Sequence, residues 1–204
     1  VSHYGRGVLQ PDVIASVIAA ARKAGVPVSV DPRGADFTRY DGASLIKPNA
    51  DELAVETGSP VATREQVEAA LTCAKERLPE THALLVTRGG QGMCLLDEGG
   101  RFHHHRSRPR PVFDVSGAGD TALAAVSLGL AARLDLPDAM ALADMAAGVA
   151  VGKPGTAVVT AEEILEDAAV GADAPDWRML TRKAAAQLCA RWRSDGLKVG
   201  FTNG

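Results

Sequence analysis

Short apolar runs of strand character alternate along this chain with longer segments whose apolar residues recur at helical spacing. Few architectures satisfy such alternation. A strand that returns through a helix comes back parallel to its predecessor, so the sequence predicts an α/β layered fold, a mainly parallel central sheet flanked by helices. Residues 83–87 (ALLVT) form an uninterrupted apolar run, as a strand covered on both faces requires. Residues 11–25 open with Pro-Asp, carry a stripe at Val13, Ile14, Val17, Ile18 and Ala21, and close on Gly25, which are helix start, face and stop signals. Further strands are expected at 26–30 and 45–46, and further helices at 49–57, 64–78, 117–133, 137–151 and 160–168. The Gly89-Gly90 pair and Gly92 turn the chain into a strand at 93–96, and residues 98–100 make a hairpin turn toward 101–105. In sheets of this kind ligands bind beyond the carboxyl ends of the strands.

Composition removes several function classes. With a net charge of −3, the 204-residue chain carries no basic surface suited to nucleic acid, and the run RSRPRP (106–111) reads as a solvated loop. No apolar stretch reaches the ~20 residues that span a bilayer, so no membrane association is expected. Cys73, Cys94 and Cys189 lie far apart without a CxxC pair, which fits a reducing cytosol and a cytoplasmic protein. The chain starts at Val1 in what reads as the end of a strand, as a fragment would. Composition changes at GADAPD (171–176); beyond it a basic amphipathic helix (178–194) and a strand (197–202) read as the start of a second domain. The triplet His103–His104–His105 leaves two readings open: ordinary hairpin residues, or a metal site lacking other convergent ligands.

The chemistry concentrates in DVSGAGDT, residues 114–121, ahead of an alanine-rich helix. Gly117, Ala118 and Gly119 let backbone approach an anion closely, and a helix beginning there would aim free N–H groups and its positive dipole end at that anion. Such a hole stabilises charge developing on a transferring phosphoryl group. Asp120, one step into the helix, would then stand beside the acceptor and take its proton. The alternative is a glycine-rich turn with Asp120 as a helix cap. The segment is neither a Walker loop, lacking the Lys-Ser/Thr pair, nor a dinucleotide-binding turn after a strand.

This segment resembles the second signature of the ribokinase-like (PfkB) carbohydrate kinases, and other stretches agree in order. KPNADE (47–52) is similar to the family's Asn-x-x-Glu element, which implies that Asn49 and Glu52 help organise Mg²⁺ and phosphate. LLVTRGGQGM (84–93) resembles the strand and turn beside the nucleotide, implying ATP contacts from Thr87, Arg88, Gly89 and Gly92. AAGVAVGKPGTA (146–157) resembles the adenine-pocket segment and implies that Lys153 and Gly155 border the base. Together the matches favour Asp120 as base over a cap alone, with Asp114 and Ser116 suggested as holders of a monovalent cation, K⁺.

A finer resemblance is to the D-glycero-β-D-manno-heptose-7-phosphate kinase domains of bifunctional ADP-heptose synthesis enzymes. VSHYGRGVL (1–9) is similar to their Ser-Asp-Tyr-x-Lys-Gly stretch, residues 29–49 to their Asp-Pro-Lys-Gly-x-Asp-Phe-x-x-Tyr passage, and LKVGFTNG (197–204) to the strand that opens their nucleotidyltransferase domain. The resemblance implies residues 1–170 as the C-terminal part of a kinase domain, 171–177 as a linker and 178–204 as the start of a transferase. It implies ATP-dependent phosphorylation of the heptose anomeric hydroxyl, a small-molecule sugar phosphate as partner, and a homodimer as the possible assembly. Asp31 and Arg33 are expected sugar-phosphate contacts, or a strand-end turn. His3 replaces the family's Asp, and Arg6 and Arg33 its Lys; Arg keeps the charge but not the geometry. Rival readings are another PfkB-type kinase, ribokinase- or fructokinase-like, and a nucleotide-binding fragment inactive by itself.

Overall fold

A computed structural model describes residues 1–5 and 7–173 and, beyond them, 189, 193, 198 and 200. Chain contacts divide it into two units, Val1–Thr160 and Ala161–Gly204. The first holds a five-stranded sheet: β1 (Ser29–Val30), β2 (Leu45–Ile46), β3 (Ala83–Thr87), β4 (Met93–Leu96) and β5 (Phe102–His105), in that spatial order. β1, β2 and β3 run parallel, with Ser29 beside Leu45 and Leu45 beside Ala83; β4 and β5 run antiparallel to their predecessors. The sheet is therefore mixed, two parallel pairings and two antiparallel, rather than mainly parallel. Connection length decides this. β2 returns to β3 through α2 (Ala50–Thr57) and α3 (Arg64–Glu76), whereas only the short turn Gly89–Gln91 joins β3 to β4, and a tight turn can link only antiparallel strands.

The strand expected at 26–30 shrinks to Ser29–Val30. Pro27 has no N–H to give to a ladder, and the Val28 N–H is taken by the Ser44 hydroxyl at 3.0 Å instead of a backbone carbonyl. Val30, Ile46, Leu84, Val86, Cys94 and Leu96 point into one core with Ile14 and Ile18 of α1 (Pro11–Ala24), Leu53 of α2 and Val67, Ala70, Leu71 and Ala74 of α3. Alternate residues Leu45, Leu85 and Leu95 are equally buried; helices α4 (Ala118–Ala131) and α5 (Leu136–Val151) also contact strands of this sheet. These two helices cross closely at Gly129, where a Cβ would stand 2.9 Å from that of Ala139.

Helix ends follow the side-chain rules. Asn49 with Glu52, and Thr63 with Gln66, form reciprocal capping boxes, and α1 stops at Gly25 in the left-handed region, φ 67°. In the second unit α6 (Ala161–Asp173) runs past residue 168 and through Gly171, so the turn-rich composition does not end the helix there; one interior glycine costs only ~1 kcal/mol against alanine. The helix expected at 178–194 and the strand at 197–202 lie outside the described residues, apart from the single positions named above, as does Arg6. Among the described residues no helix is long and apolar enough to cross a membrane.

Candidate active site

Three strand ends and one helix start build the site. Asp31 follows β1 and Lys47 follows β2, and the two side chains meet at 3.2 Å, with Lys47 only 2% exposed. Gly119, in the first turn of α4, presents its missing Cβ to them, 3.7 Å from Lys47 Nζ and 4.0 Å from Asp31 Oδ2. Asp120 is the next residue. Its Oδ1 accepts the Ser2 hydroxyl and its Oδ2 the Tyr4 hydroxyl, both at 2.6 Å. Burial pushes the Asp120 carboxyl up, but those two hydroxyls and the charge of Lys47 outweigh it and hold the group below the ordinary aspartate value. Asp31 shifts the other way: burial raises it, Lys47 opposes, and the Asp120 charge adds to the rise. The two neighbouring carboxyls are thus shifted in opposite directions.

The helix start supplies the anion site. Gly117 caps α4 at φ 78°, a conformation that favours glycine, and a Cβ there would stand 3.3 Å from Thr156 Cγ2. The Ala118 N–H donates to the Val115 carbonyl at 3.2 Å, so the amides of Gly119 and Asp120 head the helix without a backbone acceptor, aligned with its positive end. Ala118 and Gly119 at the head of the helix face a cavity of about 340 Å³, within the size range of small-molecule pockets, which Thr87, Gly89 and Gly92 line with them. Gly119 therefore stands between two compartments, with Asp31, Lys47 and Asp120 on one side and the glycine turn after β3 on the other.

Other expected residues lie elsewhere. Arg88 does not line the cavity; its guanidinium donates to the Ala62 carbonyl. Lys153 donates to the Val158 carbonyl, and the Gly155 N–H to Asp114 Oδ2 at 3.0 Å, so neither borders the cavity. From that segment it is Ala147, Gly148 and Val151 that do. The run RSRPRP is not simply a solvated loop, because Arg108, Pro109 and Arg110 form part of the cavity wall. Asn49 and Glu52 bond each other in the capping box, beside the end of β3 through the bridge of Asn49 to Thr87. Asp114 accepts N–H bonds from Ser116 and Gly155, which hold its carboxyl below the usual value and clamp the 114–116 and 152–156 turns together.

Arg33 is exposed; its N–H donates to the hydroxyl of the fully buried Tyr40, which also meets His3 Nδ1 at 2.5 Å. His3 thus stands edge-on to Tyr40 as a brace for the Asp31–Arg33 turn. The histidine triplet does not converge. His103, His104 and His105 pair with Asp97, Glu68 and Asp144 respectively, and no group of three metal-ligating side chains forms among the described residues. A larger hollow, about 960 Å³, opens near Pro27, Ser44 and His82 at the other ends of the strands. Arg101 and His103 there are both bound to Asp97, and His82 stands 3.7 Å from Glu98. Sequence reasoning passed over Lys47, Ser2 and Tyr4 as site residues; a lysine placed directly after a strand was the available signal for the first.

The profile of the pfkB family of carbohydrate kinases matches residues 4–163. The chain belongs to that family. Similar to this pfkB-family chain is the bifunctional protein HldE of Gluconacetobacter diazotrophicus, 45% identical over 208 residues, covering all of this chain and 42% of the relative. The bifunctional protein HldE of Caulobacter vibrioides is 44% identical over 204 residues with the same coverage. The chain spans about two-fifths of the length of these curated relatives. Among solved structures, Arabidopsis thaliana ribokinase complexed with ribose and ATP superposes with a TM-score of 0.71 at 27% identity, over 78% of this chain and 52% of that one. Escherichia coli phosphofructokinase-2 in complex with potassium, at 22% identity and a TM-score of 0.69, covers 80% of this chain and 53% of its own and supports the fold alone. The pfkB-family chain has the ribokinase-like fold.

Proposed function

We propose that this chain carries the phosphoryl-transfer centre of an ATP-dependent sugar kinase whose acceptor is D-glycero-β-D-manno-heptose 7-phosphate, phosphorylated at its anomeric hydroxyl on the way to ADP-heptose. One observation supports the transfer chemistry above the others. An ionised Asp120 stands in the first turn of α4, next to Gly119, which lines the glycine-rich cavity at the helix's positive end. Nucleotide phosphates fit that mouth. The acceptor hydroxyl takes the place of a Ser2 or Tyr4 hydroxyl on Asp120, its oxygen bonds to the terminal phosphorus, the bond to the ADP oxygen breaks, and Asp120 receives the hydroxyl proton. Positioning and charge stabilisation, rather than covalent chemistry, carry such a step.

Lys47 and Asp31 bound the acceptor side, and the exposed Arg33 supplies a cation for the sugar's own phosphate. Magnesium leans on substrate phosphates and its own waters and needs no protein cage. Glu52, with one oxygen engaged by the Asn49 amide, keeps the other for that water shell and so fits it. Asp114 fits a monovalent cation less well, because both its oxygens already accept amide protons, and no step is routed through one.

The heptose assignment rests on the HldE relatives and on the DPRGADF and terminal LKVGFTNG passages. The test is a comparison of relative rates, at high protein concentration and with phosphorus NMR of the products, on heptose 7-phosphate, ribose and fructose 6-phosphate. Heptose 7-phosphate should be preferred, and Asp120→Asn should cut transfer by roughly a hundredfold or more while MgATP affinity stays within a few-fold. Preference for ribose would overturn the substrate, and undiminished turnover in the variant would remove Asp120 as base.

A further inference from the structure

We infer that Arg39 joins Arg33 and His3 in a basic corner around Tyr40, and that this corner binds a terminal phosphomonoester on the acceptor sugar. This rests on the acceptor side proposed above, where Arg33 stood alone. Tyr40 is fully buried and serves as the hub. Its hydroxyl accepts the Arg33 N–H at 3.1 Å and meets His3 Nδ1 at 2.5 Å, and the Arg39 guanidinium carbon stands over its ring, 5.9 Å from the centroid. Gly34, next to Arg33, lies close to that guanidinium: a Cβ on it would stand 4.0 Å from Arg39 Nη2. Three basic residues from two distant stretches of chain are gathered at one buried ring.

No carboxylate neutralises them. Among the described residues neither guanidinium forms an ion pair, and Arg39 Nε donates only to the Asp36 carbonyl, at 3.0 Å. The Asp36 carboxylate is engaged locally, accepting both the N–H and the hydroxyl of Thr38, with Arg77 at 3.9 Å. Burial first, then the charges of Arg39 and Arg33, hold His3 below the ordinary histidine value, as two cations near one ring should. A phosphate supplies the missing counter-charge, and planar guanidinium groups offer paired donors to its oxygens. The corner also lies close to Asp120. Tyr4, whose hydroxyl reaches Asp120, is followed at once by Gly5, where a Cβ would stand 3.9 Å from Arg33 Cγ. Asp31, paired with Lys47, precedes Arg33 by two residues, and two residues of chain reach at most ~7 Å, a span that one sugar bridges. An acceptor with its reacting hydroxyl at Asp120 then carries its phosphate toward Arg33 and Arg39.

NMR titration of this chain with D-glycero-β-D-manno-heptose 7-phosphate, the same heptose without its phosphate, fructose 6-phosphate and MgATP separates the phosphate from the rest. Arg39→Ala should weaken heptose 7-phosphate roughly five- to thirtyfold and leave the bare heptose and MgATP within about twofold. Arg33→Ala should do the same, and because Arg33 is exposed it carries the test if the melting temperature shows Arg39→Ala to be unfolded. Arg39→Lys should recover part of the loss, returning the charge without the fork. Equal weakening of the heptose with and without its phosphate would make Arg39 a brace of the turn and overturn the corner, as would unchanged affinity in Arg39→Ala. A parent chain that binds the bare heptose as tightly as its 7-phosphate overturns the corner and leaves the heptose reading standing. If fructose 6-phosphate is the sugar phosphate that binds, and Arg39→Ala weakens it while sparing MgATP, the corner stands and the heptose assignment falls. Failure of the parent chain to bind either sugar phosphate overturns both.

Discussion

Asp120 was legible from sequence because everything that defines it is contiguous: three small residues, the acid, then a helix. Its surroundings were not. Ser2 and Tyr4 reach it across more than a hundred residues of chain, and Lys47 meets Asp31 across 16. No local pattern encodes such meetings, which exist only because β1 and β2 run parallel and deliver both side chains to one end of the sheet. The same separation explains why Arg88 and Lys153 stand off the cavity: a residue next to a glycine turn still chooses its own rotamer, and both turn to nearby carbonyls. The two hydroxyls on Asp120, the proposed base, carry a prediction. They hold the Asp120 carboxyl down, so Tyr4→Phe removes one stabilising bond from the ionised form and its pKa rises. The acid limb of kcat/KM against pH should move to higher pH, with Ser2→Ala moving it the same way. An acid limb that stays in place in both variants would show that neither hydroxyl bonds the base in the working enzyme.

At the scale of elements, legibility tracked how much of the signal lay inside the element. The strand 83–87 came through intact because burial on both faces demands an unbroken apolar run, and α2 and α3 start where their capping boxes place them. β1 is shorter than its β-branched residues imply, because Pro27 has no donor for the ladder and the Val28 N–H goes to Ser44. The β4–β5 hairpin ends on Asp97, which accepts the Arg101 amide at 2.9 Å, the Arg101 guanidinium at 3.2 Å and His103 Nε2 at 2.9 Å. His103 first, then the Arg101 amide, hold its carboxyl down to about 2. A depressed carboxyl contributes stability above its unfolded value and loses it as pH falls through the folded one. Asp97→Asn should therefore cost about 1–2 kcal/mol at neutral pH, since the amide keeps one acceptor. The gap should close as pH falls from 3.8 toward about 2. Urea midpoints at several pH values measure it; equal midpoints for both proteins at pH 7 would mean that the hairpin end adds nothing net.

At the scale of the molecule, the layered class followed from alternation alone, but the mixed sheet did not, because strand direction depends on the length of each connection rather than on strand composition. The arrangement across Gly119 is likewise a property of the whole first unit: β1 and β2 build the side proposed for the acceptor, β3 and α5 the side proposed for the nucleotide, and α4 stands between them. The two sides differ in how closed they are. The nucleotide cavity is walled by α4, α5 and the 107–112 strap, whereas Asp120 is exposed and Tyr4 is 61% exposed. Phosphoryl transfer to a sugar needs water kept from the terminal phosphorus and the acceptor held in line, and the exposed Asp120, as the proposed base, supplies neither. The isolated chain should therefore bind MgATP with an affinity within about tenfold of a full-length HldE relative and yet phosphorylate heptose 7-phosphate at least ~100-fold more slowly, the scale of loss expected when orientation is poor. Calorimetry and a coupled ADP assay on both proteins decide this. Turnover equal to that of the longer relative would show that the acceptor side is complete within this chain; loss of ATP binding as well would place part of the nucleotide site outside the α4–α5 cavity.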